Sequence, residues 1–131
     1  MGAWGTGNFE NDDAADFLRD LRAQRVNDIK ELFSSIESQI GYLEAPESSV
    51  AIAAAEVLAA AKGAPTPEVP SAITDWIEQN KPAVMPELVG SALRAVRRIK
   101  ADSELQALWD EGSQGEEWHR RIDDLIKRLS N

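Results

Sequence analysis

The sequence predicts an all-α fold, a compact bundle or array of about six to seven short helices. Three observations predict it. Apolar residues recur with the 3.6-residue period of a helix through nearly every segment, and no run alternates with the period 2 of a strand. Thr and Tyr are scarce, with one tyrosine in the chain. Prolines and glycines cluster between the periodic segments, where they punctuate turns.

The first helix is expected to start at Asn11, a good cap residue, with Asp12, Asp13 and Asp16 in its first turns. Negative charge there complements the free N–H groups and the helix dipole. Phe17, Leu18 and Leu21 form its apolar stripe. A second helix is expected over residues 26–40, with Ile29, Leu32, Phe33, Ile36 and Ile40 on one side and Lys30, Glu31, Ser34, Glu37 and Ser38 on the other. Gly41 ends it, and Pro46 reads as a further break.

Ser48 is expected to cap a third helix over 49–62, closed by Gly63. This helix is apolar nearly all round, interrupted only by Glu56, and such a helix belongs at the centre of a fold. Pro65, Pro67 and Pro70 make a loop, followed by a short helix around Ile73, Trp76 and Ile77. Pro82 and Pro86 bracket the entry to a fifth helix. Met85, Leu88, Val89, Ala92, Val96 and Ile99 line its buried side, and Arg94, Arg97 and Arg98 face outward. Ser103 caps a sixth helix carrying Leu105, Leu108 and Trp109. The last helix, over 116–129, buries Trp118, Ile122, Leu125, Ile126 and Leu129.

At 131 residues the chain is the size of one ordinary domain, and residues 1–131 are read as a single helical unit. No apolar run approaches the roughly 20 residues of a membrane span. The N-terminus lacks the basic and apolar regions of a secretory signal, so a cytoplasmic location is expected. Gly2 and Thr6 match a myristoylation pattern, but Glu10, Asp12 and Asp13 follow, and an anionic membrane repels them. The absence of cysteine excludes disulfides, thiolate metal sites and cysteine nucleophiles.

Candidate chemistry is sparse. Asp12, Asp16 and Asp20 share one helix face, but three acids on one helix do not close an oxygen cage around a hard cation. Glu116 and His119 form a Glu-x-x-His pair. A helical di-metal site needs two such pairs, and the chain holds one histidine. No metal or cofactor is therefore expected. Gly2, Gly5 and Gly7 follow no strand and lack the lysine of a phosphate loop, so a tight turn is expected. Arg94, Arg97, Arg98 and Lys100 are the one dense basic cluster. The net charge of −9 argues against nucleic acid. Residues 31–61 carry Glu31, Glu37, Glu44, Glu47 and Glu56 and no Lys or Arg, which would steer the chain toward a basic partner.

The first 17 residues, MGAWGTGNFENDDAADF, closely resemble the opening of a bacterial domain-of-unknown-function family that starts M-G-A-W-G-x-G-x-F-x-N-D-x-A-x-D-[FW]. Residues 102–111, DSELQALWDE, are similar to its second signature, S-E-L-x-x-L-W-x-E. The resemblance implies no activity and carries over no catalytic residue. In physical terms Asn11 and Ser103 are caps and Phe17, Leu105, Leu108 and Trp109 are packing residues. Trp4 and its glycines either lock the N-terminus onto the core or build a small pocket.

The reading expected from these features is a non-enzymatic interaction domain, immunity-like toward a basic protein, with no nucleic acid or membrane partner and no assigned oligomeric state. The alternative is a small-molecule- or metal-binding domain, or an enzyme, with its site near Trp4, Asp12, Asp16 and Trp109.

Overall fold

The apolar stretch around residues 51–59 becomes the hub of the molecule. In the computed structural model, which describes residues 3, 5–80 and 85–130, seven α-helices follow one another: α1 Asp12–Arg19, α2 Val26–Ser38, α3 Ala45–Ala61, α4 Ser71–Asn80, α5 Pro86–Ala101, α6 Glu104–Glu111 and α7 Gly115–Ser130. A 3-10 turn, Leu21–Ala23, joins α1 to α2. Among the described residues, the one β-type pairing is an isolated antiparallel bridge between Ala3 and Asn11. The fold is all-α, as the periodicity predicts. Helix α3 touches each of the other six. Alanines at 51, 53, 54, 55 and 59 let those neighbours approach closely, and all are buried. No described helix is long and apolar enough to cross a membrane.

Caps place the helix starts. The Asn11 side chain accepts from the Ala14 N–H at 2.8 Å, and the Ser103 hydroxyl accepts from the Gln106 N–H at 3.0 Å. Gly63, at φ +90°, closes α3 in the left-handed region. Trp76 and Trp118 are buried, and the Trp76 indole donates to the Gln24 carbonyl at 2.9 Å.

The α2–α3 connection departs from expectation, for physical reasons. Helix α2 stops at Ser38, and Ile40 is 99% exposed rather than part of the apolar stripe. The Arg98 guanidinium, reaching from α5, donates to the carbonyls of Ile36, Glu37 and Gly41 and satisfies the end of α2. Arg94 pairs with Glu37 at 2.5 Å. Two of the three arginines assigned to an outer basic face are thus bonded to α2. Ser48 is not a cap. Helix α3 begins earlier, because Glu44 and Glu47 form a reciprocal capping box, with the Glu44 N–H donating to Glu47 Oε1 at 2.9 Å. Pro46 sits in the first turn, where a missing N–H costs nothing, and so starts the helix rather than breaking the chain. Met85 is the N-cap of α5, ahead of its buried stripe, and is exposed. Pro82 lies outside the described residues.

Candidate functional site

The N-terminal loop, residues 5–10, is strapped across α3 and α7. Its turn closes when the Glu10 N–H donates to the Gly7 carbonyl at 3.0 Å and the Gly7 N–H donates to Glu10 Oε1 at 3.0 Å. The Glu10 carboxylate lies directly over Gly5 and Gly7. A Cβ at Gly5 would come within 2.5 Å of Glu10 Oε2, and one at Gly7 would meet the same carboxylate. The glycine spacing expected to make a tight turn thus serves close approach.

Two long-range contacts anchor the loop. Asn8 Nδ2 donates to Glu56 Oε2 at 2.7 Å, and Arg121 Nε donates to the Thr6 hydroxyl at 3.0 Å. Glu56 is 3% exposed. A carboxylate buried this deeply must be paired, and Arg128 of α7 grips it through both terminal nitrogens, at 2.6 and 2.8 Å. Hydrogen bonding to Glu56 outweighs the loss of solvation and raises the Arg128 pKa above its usual value. The interruption in the apolar helix was the sequence signal of this ion pair; its partner, some seventy positions away, had none.

A cavity lies on either side of the strap. One is a charged cleft of about 560 Å³ over the Glu56–Arg128 pair, walled by Phe9, Glu68, Glu117 and Arg120. The other is more enclosed, about 390 Å³, and is bounded by the starts of α1, α3 and α6. Asn11, Asp13, Ser49, Glu104, Trp109 and Trp118 contribute to its wall. The two sequence segments that carry the family resemblance therefore meet at this second cavity.

The residues expected at a site separate. Trp109 is half-buried and lines the enclosed cavity. Asp12 and Asp16 are exposed on α1; Asp16 pairs with Arg19 at 2.8 Å, and neither acid lines either cavity. Trp4 lies outside the described residues. Asp13, Ser49, Glu104 and Trp118 were missed as site residues. Asp13 and Glu104 follow cap residues and read as ordinary first-turn acids.

His119 stands beside Asp110, with Nε2 and Oδ1 2.9 Å apart, and its ring meets Trp118 edge-on. The Gln106 amide first, and then His119, hold the Asp110 carboxyl below the usual aspartate range. Among the described residues, no group of three or more His, Asp or Glu side chains is placed to hold a metal ion.

Residues 2–121 match the sequence model of a domain of unknown function, DUF4259. The chain belongs to the DUF4259 family. The match takes in the whole N-terminal strap and every residue named in the enclosed cavity, whereas Arg128 lies beyond it. No curated protein and no solved structure matches this DUF4259 chain.

Proposed function

We propose that this domain is a non-enzymatic interaction module that recognises a basic protein, in an immunity-like role, through the face carrying the N-terminal strap. One observation carries the reading. Among the described residues, the two cavities on that face bring seven carboxylates together against three arginines. Arg121 and Arg128 pair with Glu117, Glu56 and Asp124 of that set, so the seven acids and three arginines leave the face a formal charge of −4. With a net charge of −9, such a face attracts a cationic surface over roughly a Debye length, about 8 Å at physiological salt. It repels nucleic acid and anionic lipid equally well.

A small-molecule role is the second reading. It is favoured by the enclosed cavity, whose volume of about 390 Å³ suits a small ligand.

The test is affinity capture from native lysate at low and high salt, followed by kinetics with the purified captured protein. A basic protein should be retained at low salt and weakened at high salt. Glu68→Lys and Asp13→Lys, which reverse exposed or half-exposed charges on this face, should slow association by about tenfold together. A partner bound independently of salt, or no partner at either salt, overturns the reading.

A further inference from the structure

We infer that the enclosed cavity beside Trp109 is a site for an organic cation: an ammonium or guanidinium head carried on an apolar stem. The inference deepens the interaction reading by naming the chemistry of the anchor, and rests on that reading only where the cation belongs to a protein partner.

The walls select the sign of charge. Asp13 and Glu104 line the cavity, and among its described lining residues there is no Lys, Arg or His. Glu104 commits Oε1 to the Ala45 N–H at 2.7 Å. Asp13 makes no side-chain hydrogen bond or ion pair among the described residues. Trp109 and Trp118 belong to the same wall, and aromatic rings attract cations through their quadrupole. Leu105 and Leu108 supply apolar surface for a stem.

A second polar group awaits a partner. Ser49 is 4% exposed and lines this cavity, and its hydroxyl has no hydrogen-bond partner among the described residues. A hydroxyl that opens into the cavity without a protein partner can accept from an N–H donor on a ligand.

One feature opposes the assignment, and its size can be weighed. Three helices begin at this cavity, and each N-terminus carries on the order of half a positive charge. Each of those ends has a side chain on at least one of its N–H groups. Asn11 accepts from Ala14, Ser103 accepts from Gln106, and the Glu47 and Glu104 carboxylates accept from Glu44 and Ala45. Two full carboxylate charges then outweigh dipole ends that are already capped and whose field falls off within a turn. The cavity favours a cation.

A free amine and the lysine or arginine side chain of a basic protein share this chemistry. The experiment titrates the full chain with n-butylammonium, tetramethylammonium, n-butanol and butyrate. It adds a lysine-containing peptide and the same peptide acetylated on lysine. Tryptophan fluorescence reads binding, and amide chemical shifts locate it. The cations should give a saturable response that maps to Ser49 and Leu105, while butanol and butyrate give none. Asp13→Asn should weaken cation binding by about three- to tenfold, with the melting temperature lowered by no more than a few degrees. Trp109→Leu should weaken it comparably. A response to the lysine peptide alone assigns the cation to a partner's side chain; a response to the free amines assigns a small ligand. The inference is overturned if butanol or butyrate binds as well as the amines, if acetylation leaves the peptide's binding unchanged, or if no probe binds. Failure here with a salt-dependent basic partner intact removes only the cavity assignment. Amine binding without any basic partner removes only the interaction reading.

Discussion

Ser48 is fully buried, and its Oγ is the one buried side-chain oxygen without a hydrogen-bond partner among the described residues. Its neighbour Ser49 is nearly as buried but opens into the enclosed cavity. The two serines should therefore respond differently to truncation. Ser48→Ala removes an unsatisfied hydroxyl and should stabilise the fold by about 1 kcal/mol, read from urea unfolding. Ser49→Ala should leave the unfolding midpoint nearly unchanged and reduce the response to alkylammonium. At Asp110 the question is titration. The Gln106 hydrogen bond is the largest single cause of its lowered pKa, and His119 adds both a hydrogen bond and its charge. Gln106→Ala and His119→Ala should each raise the Asp110 pKa toward the ordinary value, measured by carboxyl ¹³C shifts. Because the folded-state pKa is depressed, the stabilisation is present above the unfolded-state value. It is lost as pH falls through the folded one. The acid limb of the stability curve should therefore flatten in Gln106→Ala, with the neutral region unaffected.

At the scale of elements, what the sequence revealed and what it hid divide along the range of the forces involved. The interior of every helix was legible, because amphipathic period and one cap residue are local. Asn11, Ser103 and Gly63 do what their residue types predict. The α2–α3 junction was not legible, because its ends are set from elsewhere. Arg98 arrives from α5 to satisfy the last carbonyls of α2, and Glu104 arrives from α6 to meet the first N–H of α3. The same limit applied to the site. The aspartates at 12, 16 and 20 share a face, but that face is exposed. Asp13, one residue and about 100° around the helix, is the one that lines the cavity. Choosing between those faces required knowing where α3 and α6 begin. The role given to Arg98 is testable. Arg98→Ala leaves two α2 carbonyls and the Gly41 carbonyl without this donor. It should destabilise the protein by about 1.5–3 kcal/mol. The loss should appear as faster hydrogen exchange in the last turn of α2, with α6 and α7 protected as before.

For the whole molecule, the Glu56–Arg128 pair ties three distant parts of the chain together. Glu56 lies midway along the central helix, Arg128 near the end of α7, and Asn8 in the N-terminal strap. Arg128 is itself only 14% exposed and also bonds Asp124 at 2.8 Å. Removing one member of a buried pair leaves the other charged and desolvated, which typically costs about 3–5 kcal/mol. Native domains hold only about 5–15 kcal/mol in total, so Arg128→Leu should leave a marginal fold. The double variant Glu56→Leu/Arg128→Leu should recover most of the loss, because it removes the orphaned charge along with its partner. Asn8→Ala should cost far less and loosen the strap selectively, seen as faster exchange near Thr6. The pair also predicts how far the family match suffices for folding. A chain cut after residue 121 keeps the whole matched region but loses Arg128 and the buried Leu125 and Leu129. It should fail to fold cooperatively. Glu56→Leu should not rescue it, since the core contacts of Leu125 and Leu129 are missing too. A cooperative melt from the truncated chain would show that α7 decorates the bundle rather than completing it.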